Sequence, residues 1–284
     1  MHKKNITIIG GYGLMGQLFN SLLSKAGYNV RNIGEKDWEL APPILANSDW
    51  VIISVPIHLT GFIINKAADL IKSDCILSDF TSIKTEPLLT MLSKYNGPVV
   101  GLHPMFGPTI NDTKQQVIVV CNGRFPEKYQ WVIELLLFLG FTLKTMPASE
   151  HDQAMNFIQG VEHFLTFSLG TFLHQKNQHP QELMQMASPI YMAKLLLMGR
   201  IFDQDPALYA DIIMADKNRL ALIKEFSIWL NQWITKLEEN NKQEFIKEFK
   251  QASEWMGTFT RYSQELSDKF LNNQLTDSIQ SIKK

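Results

Sequence analysis

The sequence predicts an α/β fold in which a doubly wound parallel sheet occupies residues 1–147 and an all-helical domain occupies residues 148–284. Three observations predict it. Short β-rich runs alternate with helical stretches from Asn5 to about Met146, the pattern of strands joined by crossover helices. After Pro147 the strand signals stop and helical period takes over. A length of 284 residues suits two domains of roughly 100–200 residues each, and 45% hydrophobic against 19% charged residues excludes wholesale disorder.

In order, the expected strands are Ile6–Ile9, Asn29–Ile33, Trp50–Val55, Cys75–Asp79, Val99–Gly101 and Gln116–Cys121. Between the first two, Leu18, Leu22, Leu23 and Ala26 share one face of a helix. In the second half, long helices are expected at about 150–175, 181–203, 206–237 and 242–272, with Pro180, Pro189 and Pro206 as starts or kinks. These helices are more apolar than a thin appendage requires, which points to a homodimer formed there. A Lys/Asn/Gln-rich tail closes the chain.

Lys and Arg at 27 against Asp and Glu at 28 give a net charge of −1, so no global field attracts nucleic acid or an anionic membrane. Cys75 and Cys121 lie in apolar strand-like runs and read as buried thiols, neither disulfide nor zinc ligands. No metal is expected, because none of the histidines has a ligand spacing that stands out. The N-terminus runs directly into a strand, leaving no room for a signal peptide, and the apolar run Val132–Phe141 is too short to span a bilayer. A cytoplasmic protein is expected.

Gly11-Tyr12-Gly13-Leu14-Met15-Gly16 follows the first strand and opens a helix, the context a G-x-G-x-x-G match needs. Gly11 would make the tight turn, Gly13 would admit a pyrophosphate to the backbone, and Gly16 would let helix and strand pack closely. The amides at Leu14 and Met15 belong to the helix N-terminus that would receive the phosphates. Glu35, behind the second strand, is the candidate acid for the adenosine ribose and favours NAD over NADP, although Arg31 and Lys36 lie nearby.

Ligands of such sheets bind beyond the carboxyl ends of the strands. The third strand is followed by Ser54-Val55-Pro56-Ile57-His58, where Ser54 and Pro56 are expected against the nicotinamide ribose. The fourth leads into Asp79-Phe80-Thr81-Ser82-Ile83-Lys84, and the fifth into Gly101-Leu102-His103-Pro104-Met105-Phe106-Gly107-Pro108. His103, held between an apolar strand and a Pro/Gly-rich loop, suits proton traffic during hydride transfer. Ser82 is either a hydrogen-bond partner of the imidazole or substrate, or a simple helix cap. Lys84 either meets a substrate carboxylate or is solvated. Arg200, at the end of an apolar run, needs an anion: a substrate carboxylate or an internal ion pair.

These residues resemble the TyrA family of prephenate dehydrogenases, most closely the dehydrogenase part of the enterobacterial bifunctional chorismate mutase–prephenate dehydrogenases. The resemblance rests on the glycine loop and Ser-Val-Pro-Ile-His at 54–58, on Gly-Leu-His-Pro-Met-Phe-Gly-Pro at 101–108, and on Glu-His-Asp-Gln at 150–153. It continues through Ser-Pro-Ile-Tyr at 188–191, Met-Gly-Arg at 198–200 and Leu-Tyr-Ala-Asp-Ile-Ile-Met at 208–214. It implies NAD-dependent oxidative decarboxylation of prephenate to 4-hydroxyphenylpyruvate. It also implies that His103 polarises or deprotonates the C4 hydroxyl with support from Ser82, and that Arg200 holds the ring carboxylate.

Gln159, Glu162, His163 and Thr166 fall on one helical stripe and are expected to face the crevice as substrate-binding residues. Where the resembling bifunctional enzymes carry arginine, this chain has Glu162 and Met192, and its first strand begins so early that no mutase domain is expected ahead of it. These departures suggest an alternative substrate, 4-amino-4-deoxyprephenate, as in the PapC-like branch, because Glu162 would attract a cationic amine. Glu162 could equally be a surface residue paired with a lysine. The resemblance also links the His163 position to feedback by tyrosine. From other classes, a β-hydroxyacid dehydrogenase would be expected to use a lysine base, and a non-catalytic NAD-binding protein would keep the glycines while losing the crevice chemistry.

Overall fold

A computed structural model describes residues 3–271, and the tail beyond lies outside them. The described residues form two compact units. One comprises the chain up to Ile158 together with Ala210–Ala215; the other comprises Gln159–Tyr209 and the chain from Asp216 on.

In the first unit, β1 (Asn5–Ile9), α1 (Leu14–Lys25), β2 (Asn29–Ile33), α2 (Ala41–Ala46), β3 (Trp50–Ile53), α3 (Ile57–Ala68), β4 (Ile76–Asp79), α4 (Thr85–Lys94) and β5 (Val99–Pro104) alternate as expected. Next come β6 (Val117–Asn122), α5 (Gln130–Phe138) and β7 (Thr142–Thr145). The sheet order is β2-β1-β3-β4-β5-β6-β7. β1 to β5 are parallel, β6 is antiparallel to β5, and β7 runs parallel to β6. The order reverses between β1 and β3, the topological switch point at which such sheets bind ligands. Strand residues are apolar on both faces because helices cover both: Val51 and Ile53 enter one core cluster, Trp50 and Ile52 the other.

β7 is absent from the expected strands because Thr142–Thr145 is a short edge with mostly exposed side chains and no apolar signature. β5 runs past Gly101 to Pro104, since β6 pairs with it as far as Pro104 opposite Ile118, so His103 belongs to the strand. On α1 the fully buried aromatic is Phe19, one turn before Leu22 and Leu23 on the same face and not among the residues named from the sequence. It stacks with Phe106 and Phe141 and meets Phe80 at a tilt, and so ties the loop after β5 to the helix that carries the glycine motif.

α6 (Ala148–Met155) packs on α4 and β6, so the first unit runs to Ile158, beyond residue 147 where the strand signals stop. A π-helical turn, Asn156–Val161, interrupts the helix expected at 150–175 before α7 (Glu162–Gln175). α8 (Pro180–Gln185) and α9 (Pro189–Phe202) are separate because Ser188 caps the second and Pro189 starts it. Asp216 similarly divides α10 (Pro206–Met214) from α11 (Lys217–Glu238). Gly257, at φ 55°, divides α12 (Lys242–Met256) from α13 (Thr258–Phe270).

Candidate active site

The glycine loop is a close-packed turn. Gly10 carries the positive φ, 85°, and a Cβ there would lie 2.1 Å from the Ser54 carbonyl oxygen. The tight turn expected at Gly11 therefore belongs to Gly10, while a Cβ on Gly11 would overlap the Asn32 side chain. Gly16 sits where a Cβ would be 2.6 Å from the Gly10 oxygen and the Gly11 Cα, so its lack of a side chain sets the spacing of α1 from β1. Gly13 caps α1 without a side-chain oxygen, so no side chain competes for the first-turn amides of Leu14, Met15 and Gly16. These features fit a dinucleotide pyrophosphate.

Around the loop, Ser54 N donates to the Ile9 oxygen at 2.8 Å, which places the Ser54–Pro56 segment beside the glycine turn, with Pro56 capping α3. Glu35 is exposed at the end of β2. Asp37 is occupied differently: its Oδ2 accepts from Gly34 N at 2.8 Å, and the Tyr12 phenol, hydrogen-bonded to Asp37, is pushed above its usual pKa by that carboxylate.

At the end of β4, Lys84 departs from expectation. It has no exposed surface; its Nζ bonds Asp79 Oδ2 in a short contact and donates to the Leu102 oxygen at 3.0 Å. It is neither solvated nor presented to a substrate, because a buried ammonium requires the anion beside it. Ser82 is half-buried in the bend just before it.

His103 is 2% exposed, and its Nδ1 lies 2.8 Å from His151 Nε2, with the rings edge to face. His151, wholly buried, places its Nδ1 2.8 Å from Asp152 Oδ1. Asp152 in turn accepts from the backbone amides of Lys84 at 2.8 Å and Thr85 at 2.9 Å, capping α4 from α6. Burial alone would raise the Asp152 pKa, but hydrogen bonds from His151, from the Thr85 side chain and from the two amides outweigh it and hold the carboxyl at about 2. Sequence reasoning missed His151 and Asp152 as functional residues. The one signal was the Glu150-His151-Asp152-Gln153 run, which lies far from His103 in sequence.

In the second unit, Glu162, His163, Thr166, Arg200 and Tyr209 gather. Glu162 Oε1 accepts from Thr166 at 3.0 Å, its Oε2 lies 3.1 Å from His163 Nδ1, and the His163 ring lies 5.2 Å from that of Tyr209. Burial raises the Tyr209 phenol pKa, with the Arg200 charge opposing and the Glu162 charge adding to the shift. Arg200 is exposed in the last turn of α9 and Gln159 is buried in the π-turn. The Glu162 carboxylate is engaged on its own helix by Thr166 and His163, and its geometry gives the amino-substrate alternative no support. Met192 is half-buried on α9.

Among the described residues, no group of three or more His, Cys, Asp or Glu is placed to hold a metal ion, and no helix is long and apolar enough to cross a membrane.

Comparison with known proteins gives the family. Residues 32–121 match the prephenate dehydrogenase nucleotide-binding domain and residues 147–251 the prephenate dehydrogenase dimerization domain. The T-protein of Enterobacter agglomerans is 46% identical over 252 residues, covering 89% of this chain and 67% of that protein. The T-protein of Haemophilus influenzae is 41% identical over 260 residues, covering 92% of this chain and 68% of its own length. The prephenate dehydrogenase of Aquifex aeolicus, solved with hydroxyphenyl propionate and NAD+, superposes with a TM-score of 0.68 over 89% of this chain and 96% of that one; at 18% identity the likeness is one of fold. With both halves matched in order and the relatives' identity this high, the chain belongs to the prephenate dehydrogenase family.

Proposed function

We propose that the chain is an NAD-dependent prephenate dehydrogenase that converts prephenate to 4-hydroxyphenylpyruvate and CO2. Family membership carries the reading, and the buried imidazole of His103 at the end of β5 is the observation that gives it a chemistry. NAD, when bound, supplies the acceptor for the hydride that leaves ring C4. Gly11, Gly13 and Gly16 would admit its pyrophosphate, the amides of Leu14 and Met15 would face it, Glu35 would take the ribose hydroxyls, and Ser54 and Pro56 would line the nicotinamide side.

The chain's own residues then have one proton to manage. His103 accepts the C4 hydroxyl proton as the C4–H electron pair departs. Loss of the C1 carboxylate as CO2 returns an electron pair to the ring and leaves a phenolate, which His103 reprotonates. The reaction thus consumes and releases no net proton, and aromatisation supplies its driving force. The protein's contribution is alignment and a poised base. Arg200 is assigned the ring carboxylate on the family resemblance and on the charge of its guanidinium. Ser82 is assigned to the hydroxyl, and Gln159, Glu162 and His163 remain candidates for the substrate side chain. Two copies are inferred to pair through the helical unit, whose family model is a dimerization domain.

NADH formation at 340 nm with prephenate and with 4-amino-4-deoxyprephenate tests the reading. Prephenate is expected to be preferred. His103→Asn is expected to lower kcat by about 10²–10⁴-fold with little change in KM, and Arg200→Gln to raise KM far more than it lowers kcat. Turnover by His103→Asn at near wild-type kcat would remove the proposed base.

A further inference from the structure

We propose that His151 and Asp152 are a positioning dyad that fixes the tautomer of His103 and shares its proton during turnover. The proposal rests on the reading of His103 as the base. Asp152, His151 and His103 form a chain of hydrogen bonds at 2.8 Å for each link, and the parity of donors and acceptors along it fixes each ring.

Asp152 is ionised through the physiological range, and an ionised carboxylate can only accept. His151 Nδ1 therefore carries a hydrogen. In a neutral ring the other nitrogen then holds a lone pair, so His151 Nε2 accepts and His103 Nδ1 donates. Neutral His103 is left with its hydrogen on Nδ1 and a lone pair on Nε2, the nitrogen that must take the C4 hydroxyl proton. The opposite tautomer would put a hydrogen on Nε2 and abolish its use as a base.

The same chain accommodates the charge that follows. As Nε2 of His103 gains the substrate proton, its Nδ1 hydrogen can pass to His151 Nε2, leaving an imidazolium directly against the Asp152 carboxylate. When CO2 has left, the hydrogen returns to His103 Nδ1 and the Nε2 proton passes to the phenolate oxygen. One O–H bond is broken and one is formed, and nothing is lost to solvent. The other titratable groups around this chain in the first unit are committed elsewhere. Asp79 and Lys84 form a buried ion pair, and the Cys121 thiol on β6 is pushed up to about 11, chiefly by burial.

Long-range ¹H–¹⁵N NMR on the full chain with labelled histidine reads the tautomer directly. Wild type is expected to show His103 protonated at Nδ1 and bare at Nε2. Asp152→Asn offers an amide donor in place of the acceptor, and is expected to reverse both rings and to lower kcat by about 10²-fold or more. Its KM should be nearly unchanged and the pH profile of kcat displaced. His151→Gln, which leaves the Asp152 cap on α4 intact, is expected to lower kcat and displace the profile likewise, so a folding defect in the first variant does not decide the matter. A bare Nδ1 on wild-type His103, or wild-type kcat and pH profile in both variants while His103→Asn is inactive, would overturn the dyad and leave the reading of His103 standing. Full activity in His103→Asn would instead overturn that reading.

Discussion

Burying a lysine ammonium without exposed surface costs several kcal/mol unless an anion accompanies it, and Asp79 is that anion for Lys84. Lys84→Met strands the buried carboxylate and is expected to lose about 3–5 kcal/mol in urea denaturation, whereas adding Asp79→Asn should restore much of it. Full stability in the single variant would show the pair contributes nothing. Asp152 makes a pH-dependent contribution. Folding lowers its pKa to about 2 from an unfolded value near 3.9, so its stabilisation is complete above the unfolded value and fades as pH falls through the folded one. Wild type is expected to exceed Asp152→Asn by about 2 kcal/mol at pH 7, with the gap closing between about pH 4 and 2. A gap independent of pH would assign the difference to packing. The fixed, buried placement of His103 was legible in sequence because it lies between an apolar strand and a Pro/Gly-rich loop. The Lys84 pairing was not, because whether a polar side chain after a strand turns inward depends on which partner the sheet brings beside it.

The glycine loop shows how one element divides its requirements. Gly10 needs both its positive φ and its empty side-chain volume, Gly16 needs only the volume, and Gly27, at φ 94° with nothing within 4 Å, needs only the φ. Gly27→Ala is expected to cost about 1–2 kcal/mol and leave NAD affinity intact. Gly16→Ala must push α1 off β1 and is expected to weaken NAD binding at least tenfold, and Gly10→Ala to do so with a larger loss of stability. Isothermal titration with NAD and thermal melts separate the three, and equal NAD affinity in Gly16→Ala and Gly27→Ala would remove the packing argument. The motif, its strand and its helix were all readable from spacing. The transfer of the tight turn from Gly11 to Gly10 was not, since a run of two glycines does not declare which carries the left-handed conformation. The helical half was readable as helices but not as these helices. Period alone joined α8 to α9, α10 to α11 and α12 to α13, and the breaks came from single residues, Ser188, Asp216 and Gly257, whose capping and turning roles periodicity does not weigh.

At the scale of the molecule the helical unit exposes more apolar surface than a solitary chain tolerates. On α12, Phe249 is 67% exposed, Trp255 near its end is 85% exposed, and Phe245 and Ile246 lie on the surface with them. On α13, Phe259, Tyr262, Leu266 and Phe270 recur at helical spacing as a second exposed stripe. Single exposed hydrophobics need no explanation, but two such stripes do, and the first of them begins inside the dimerization-domain match, which ends at residue 251. Removing them from water at about 25 cal/mol per Å² is a sufficient driving force for self-association. A second copy of the chain supplies the same surface in return, as a two-fold interface requires. Sedimentation equilibrium is therefore expected to give twice the 32.5 kDa of one chain at micromolar concentration. Placing a carboxylate in the stripe with Phe249→Glu and Phe259→Glu would bury two like charges across the two-fold and should return the protein to monomers, with the first unit's NAD affinity unchanged. A dimer that survives both substitutions would locate the interface on another face of the helical unit, and a wild-type monomer would leave these stripes in need of a different partner.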